Sequence, residues 1–284
     1  MCPVNFWYWL LSWLPFEWAA PDTMLFMKNA LLAVLVMAPL FGLLSTVIVT
    51  GRMSFFSDAL GHSAFTGIAI GVLCGVVQPM IVAVALAVLF ALLFSFVRSR
   101  TNQASDTIIS VFSSTAVALG IFIATMGGSS FSKFNQYLIG DILSVAPQEI
   151  GLLAIVLALS LGLWLMASNR MVLTMVHPQL ASSRGIPVRW VQTAYTVCIA
   201  VVVTLSLTWV GLLVINSLLV LPAAAARNVA KNLRQYHLWS ILLALASSIA
   251  GLLTSYYVGC STGATISLYL ALCFAVTFLL RRRH

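Results

Sequence analysis

Apolar stretches close to twenty residues long recur along the whole chain, near 27–50, 54–77, 79–97, 107–127, 149–168, 191–208, 210–226, 238–258 and 263–280. Each is long enough to cross a bilayer as a helix. None alternates with the period of two that a transmembrane strand needs, which excludes a membrane β-barrel. The segment 191–226 is too long for one crossing and is divided at Thr208–Trp209; left whole, it lowers the count by one. Charged residues make up only 7% of the 284, where a soluble domain carries about a quarter. That is too little polar surface to cover a water-facing globule. The expectation is an all-α, polytopic integral membrane protein with eight or nine transmembrane helices. They form one membrane domain over residues 23–284.

The net charge of +8 is distributed unevenly. Arg52, the pair Arg98/Arg100, the group Arg170/Arg184/Arg189, the group Arg227/Lys231/Arg234 and Arg281–Arg283 fall in alternate loops, and the loops between hold only Lys133. By the positive-inside rule the basic loops and the C-terminus lie inside and the N-terminus outside. A merged 191–226 span breaks this alternation, so the charges favour nine crossings. In a membrane chain such charge reports orientation and does not call for a nucleic-acid partner. The five cysteines are scattered without a C-x-x-C and read as small buried hydrophobes. Residues 1–22 carry Trp7, Trp9, Trp13 and Trp18, and no positive residue appears before Lys28. That makes a poor signal peptide. The apolar run 6–16 is too short to span, so an interfacial segment is expected. No G-x-x-x-x-G-K-[ST] loop is present. Any driving energy comes from an ion gradient or from another chain.

Acids inside hydrocarbon are costly and mark function by default. Of the six acids, Glu17 and Asp22 lie in the N-terminal segment, Asp106 reads as a helix N-cap, and Glu149 reads as a first-turn acid. Asp141 sits in a semi-apolar loop that is a candidate for re-entering the membrane. Asp58 differs, because it opens an apolar span with His62 four residues on. That spacing stacks carboxylate and imidazole on one helical face. Together they make half of a site suited to zinc, manganese or ferrous iron, and poorly suited to Cu(I). On the other face Gly67, Gly71 and Gly75 recur every four residues, which lets a neighbouring helix approach closely. The plainer readings stand beside these: an i,i+4 Asp–His pair that only bonds to itself, and a small-residue stripe of the kind common in membrane helices. Asn216 and Ser217, deep in an apolar span, either line a path or bond between helices. His177, His237 and His284 read as surface residues.

The segment from Gly51 to Gly71, GRMSFFSDALGHSAFTGIAIG, resembles the signature of the zinc/manganese/iron ABC-importer permeases, R-x-M-S-x-x-G-D-[AT]-[LI]-x-H followed by a glycine-rich helix. Further segments are similar in the same order. Asp106-Thr107-Ile108-Ile109 resembles the start of the family's next helix. Tyr137-Leu138-Ile139-Gly140-Asp141-Ile142-Leu143 resembles its Y-L-F-G-D-[IL]-L motif. Val210-Gly211-Leu212-Leu213-Val214 through Leu221-Pro222-Ala223-Ala224-Ala225-Ala226-Arg227 resembles its V-G-x-L-L…P-A-A-x-A-R segment, and Ser261-Thr262-Gly263-Ala264 its [ST]-x-G-[AP] turn. The resemblance runs from about residue 27 to the C-terminus. Ser57 stands where that family usually has Gly.

The resemblance implies the architecture of an ABC-importer permease in a bacterial inner membrane. A second permease copy would pair with the first, a cytoplasmic ATPase dimer would hold and hydrolyse ATP, and an extracytoplasmic metal-binding protein would deliver the ion. The chain would then be no enzyme and hold no permanent cofactor. Asp58 and His62 would be the transport ligands, with Ser57, Asp141 and Asn216 around them. The loop 169–190 would couple to the ATPase through Gln179, Leu180, Ala181, Arg184 and Gly185, on a short surface helix with Pro178 at its start and Gly185 at its stop. Two other classes use the same pair differently: an intramembrane enzyme using Asp58 and His62 with Ser57 or Ser63, and a gradient-driven carrier. The acid–imidazole pair and the motif wording favour zinc, with manganese and ferrous iron next.

Overall fold

The computed structural model describes residues 25–101, 103–126, 142–145 and 147–280. Regular structure among them is entirely helical: α1 Leu25–Thr50, α2 Phe56–Leu73, α3 Pro79–Arg100, α4 Ser105–Met126, a 3-10 turn Ile142–Ser144, α5 Pro147–Val176, α6 Pro178–Ser183, α7 Val188–Val210, α8 Leu212–Val229, α9 Leu233–Val258 and α10 Thr262–Leu280. Eight of these are long and apolar enough to span a bilayer, and α5 carries a further apolar stretch over Glu149–Trp164. The Trp-rich residues 1–22 and Asp141 lie outside the described residues.

Long uninterrupted apolar sequence dictates helices here because every backbone N–H and C=O must be satisfied within the segment once lipid surrounds it. What divides one apolar run from the next is backbone geometry. The break in the 191–226 segment falls at Gly211, two residues beyond the expected Thr208–Trp209. Gly211 has φ 84 and ψ 152, which a residue with a Cβ avoids. Its N–H still closes α7 on the Leu207 carbonyl, and its own carbonyl accepts from Ile215 to open α8. Two other boundaries shift for similar reasons. Arg170 lies inside α5, whose thirty residues outrun the expected 149–168. Asp106 is the second residue of α4 and not its cap, since the Ala104 carbonyl takes the first N–H groups. An acid in that first turn still suits the helix dipole.

Helices α1 and α2 form the centre of the bundle, with 78% and 72% of their spanning windows buried, whereas α10 buries 17%. α1 packs on α9, α8 and α5; α2 packs on α3, α4, α7 and α8. Close approach carries these contacts. A Cβ on Gly42 would stand 2.9 Å from the Ile241 Cα of α9, and one on Gly67 would stand 2.5 Å from the Ala83 Cα of α3. The α1–α9 seam is also polar. Ser45 and Ser240 lie 2.8 Å apart, and both hydroxyls donate to the Gly42 carbonyl. Thr46 Oγ1 stands 2.7 Å from His237 Nδ1. His237 is therefore a buried residue of this seam and not the surface residue its basic surroundings predict. The cysteines also differ from expectation: Cys74 and Cys260 are exposed at helix ends, Cys198 and Cys273 are half-buried, and all four are free thiols.

Candidate functional site

Asp58 and His62 project from the first two turns of α2, one turn apart, as their spacing requires. His62 Nε2 lies 3.5 Å from Asp58 Oδ2, and the side chains remain 29% and 45% exposed on the single chain. That separation is beyond a strong hydrogen bond. Neither group saturates the other, so lone pairs remain for a third participant. Across the interface with α8, Asn216 Nδ2 donates to Asp58 Oδ1 at 3.1 Å. The Asn216 Oδ1 is buried and has no partner among the described residues. A carboxylate and an imidazole thus share one face of α2, with an amide donor from α8 holding the carboxylate, an oxygen–nitrogen pair suited to a borderline divalent cation.

The packing of α2 on α3 sets the depth of this group. Phe56 meets Phe94 with ring centroids 5.1 Å apart. At the other end, a Cβ on Gly71 would stand 2.9 Å from the Pro79 Cα. The two helices are antiparallel, so residues 58 and 62 stand level with residues 92 and 88 of α3. At 1.5 Å per residue His62 is level with a point about 13 Å from one end of that helix and about 18 Å from the other. The pair stands on a helix long and apolar enough to span a bilayer, where an ionisable side chain marks function by default.

The described residues of one chain do not complete a metal site. No cluster of three or more His, Cys, Asp or Glu occurs among the described residues. Ser57, next to Asp58 in sequence, points elsewhere on the helix: it is fully buried and its Oγ makes no hydrogen bond among the described residues. Ser217 bonds to the Leu213 carbonyl and to Ser267 of α10, which makes it a helix-to-helix tie. Gly67 and Gly71 face α3 at close range. Gly75 lies past the end of α2 with φ 66 and open space around it, so it serves the turn and is no third member of the stripe.

On the Arg-rich side of the bundle, α6 is a six-residue helix with Pro178 at its first position and Gly185, φ 73, after its end. Ala181 is fully buried and anchors it, and its carbonyl accepts from the Ile186 N–H. Gln179, Leu180 and Arg184 are exposed, Leu180 by 46%. The helix presents a side chain set to whatever lies below it.

A model of the ABC 3 transport family matches residues 23–281. The chain belongs to that family. As an ABC 3 transport protein it shares 28% identity over 254 residues with the high-affinity zinc uptake system membrane protein ZnuB of Haemophilus influenzae, covering 89% of this chain and 97% of that one. It shares 28% over 253 residues with the manganese import system permease protein ScaB of Streptococcus gordonii, covering 89% and 90%. Its fold superposes on the solved PsaBC from Streptococcus pneumoniae in complex with Fab with a TM-score of 0.77 at 25% identity, covering 97% and 95%. The ABC 3 chain is thus a multi-pass membrane component of an ABC transporter, a family whose membrane subunit is not itself catalytic.

Two buried ionisable groups of this ABC 3 chain escaped the sequence reading. Lys28, in the first turn of α1, is 1% exposed, and His237 is 9% exposed. Both sit near the ends of apolar runs, where a charged or polar residue normally reads as a boundary marker. Only the neighbouring helices show them to be enclosed.

Proposed function

We propose that the chain is the permease subunit of an ATP-driven importer of a divalent transition metal, zinc first, with manganese and ferrous iron as lesser cargo. The observation that supports it best is the Asp58–His62–Asn216 group. It lies on a membrane-spanning helix, is part-exposed on the single chain, and among the described residues offers too few ligands to hold a dication alone. A second copy about a two-fold axis supplies each ligand again. Two carboxylates and two imidazoles then replace most of the ion's water and offset the cost of carrying it through low dielectric. Loose coordination is what transport needs, since the ion must leave as well as enter. Asp141 is kept as a pathway candidate on its motif alone.

Energy would come from an ATPase dimer seated on α6, and an extracytoplasmic binding protein would deliver the ion on the opposite face. In this reading the Arg-rich loops and the C-terminus are cytoplasmic, the N-terminus is outside, and the membrane is a bacterial inner membrane. The relatives named for zinc and manganese import support the cargo class. The acid–imidazole ligation favours zinc within it.

The test is reconstitution of the chain with its ATPase and binding protein in vesicles, measuring accumulation of radioactive zinc with manganese and ferrous iron as competitors. The proposal expects uptake that needs ATP and all components. Uptake by the chain alone down a gradient would replace it with a secondary carrier. Cleavage of a lipid or peptide by the purified chain would replace it with an intramembrane enzyme.

A further inference from the structure

A cleft of about 440 Å³ opens between the Arg-rich ends of α1, α5, α8 and α9. Its lining includes Arg52, Arg227 and Lys231 and, among the described residues, no Asp or Glu. None of these three cations forms a salt bridge among the described residues. Three like charges on one small cleft repel each other and persist most economically where an anion joins them.

Two further observations point to a ligand. Tyr236, 9% exposed, lines the same cleft, and its hydroxyl has no hydrogen-bond partner of good geometry among the described residues. A buried hydroxyl without a partner is costly unless something absent completes it. Arg52 is also the one non-glycine with positive φ among the described residues, at 53°. Backbone strain of this kind persists where a particular side chain is wanted in a particular place. The first turn of α9 adds backbone donors at the cleft, because the Asn232 cap satisfies only the Gln235 N–H.

We propose that this cleft binds the phosphodiester headgroup of an anionic phospholipid. Donors and charge fit a phosphate, and the rim decides its source. Val176, Val229 and Leu233 are apolar side chains 50%, 39% and 46% exposed at the helix ends that form or flank the cleft. They offer a surface for acyl chains that a water-borne anion would not use. Basic pockets between transmembrane helices on the cytoplasmic side take lipid headgroups for these reasons. Placing the cleft in the inner leaflet rests on the topology proposed above. The binding itself does not, so a reporter of sidedness and a lipid titration fail independently.

The experiment is native mass spectrometry of the delipidated full-length chain in detergent, titrated with phosphatidylglycerol, phosphatidylcholine or inorganic phosphate. Phosphatidylglycerol is expected to bind preferentially and to weaken in 0.5 M salt. The double variant Arg227→Gln/Lys231→Gln should lose about tenfold or more in affinity. Arg189→Gln, at the same end of the bundle but outside the cleft, should not. Tyr236→Phe should weaken phosphatidylglycerol by about threefold without lowering the thermal midpoint of the lipid-free chain, which a structural hydrogen-bonding hydroxyl would not do. Should the double variant fail to fold, Tyr236→Phe and the salt series still decide. Equal binding of the two lipids, an unaffected Tyr236→Phe, or displacement of the lipid by equimolar inorganic phosphate would overturn the proposal. So would a double variant that keeps its lipid but no longer holds the ATPase, which would make the cleft a protein contact.

Discussion

Asn216 on α8 holds one oxygen of the Asp58 carboxylate at 3.1 Å, 158 residues away in sequence, and leaves the other oxygen turned to His62. The bond fixes the carboxylate plane across the α2–α8 interface, so the ligand face is oriented before any ion arrives. Preset geometry lowers the cost of ordering on binding. Asn216→Ala should therefore keep transport but weaken it. Loss of a hydrogen bond to a charged group costs about 1.5–3 kcal/mol, which appears as an apparent affinity for zinc about 10- to 100-fold poorer in an uptake titration. Unchanged affinity would show that the carboxylate needs no such support.

Gly67 allows α2 to lie against α3. A Cβ there would come 2.5 Å from the Ala83 Cα and 3.0 Å from its nitrogen, both backbone atoms that cannot swing aside. Gly67→Ala should destabilise the folded chain by about 1–3 kcal/mol, as overpacking does, and lower the thermal midpoint in detergent. Gly162→Ala is the control: nothing lies within 4 Å of that Cβ, so its midpoint should hold.

Ser57 separates burial from ligation. Its hydroxyl is buried without a hydrogen-bond partner beside the proposed ligands. Ser57→Ala removes an unsatisfied group and should stabilise the chain by about 1 kcal/mol, with metal uptake retained. A collapse of uptake would instead make that hydroxyl part of the path.

Leu180 is the exposed apolar side chain of α6. In the coupling reading it sits in an apolar pocket of the ATPase, where a charge is unwelcome. Leu180→Asp should abolish ATP-driven uptake and loosen the ATPase on co-purification, while zinc binding to the isolated delivery protein stays the same. Full uptake in this variant would move the coupling contact elsewhere.

The helices were legible because lipid leaves a chain few options. Apolar run length sets the spans, and the Pro178…Gly185 punctuation marked a short helix that the structure contains. Residues whose role depends on a partner helix were not legible. Gly67 and Gly75 look alike at a spacing of eight, yet one meets Ala83 and the other stands in a turn. His237 and Lys28 look like border residues and are enclosed. Asn216 showed its polarity in sequence but not its target, because the bond to Asp58 depends on how α8 crosses α2. The position of the α7–α8 break was off by two residues, since apolar periodicity runs through it and only the φ of Gly211 marks it.

The central claim is that a dication passes between twin copies of Asp58 and His62. The most direct measurement is ATP-dependent uptake of radioactive zinc by the reconstituted complex carrying Asp58→Ala or His62→Ala, with ATPase association measured on the same preparation. The account predicts uptake lost in both variants, by about 100-fold or more as for removal of a metal ligand or its close support, with the complex still assembled. Normal uptake in both assembled variants would contradict it.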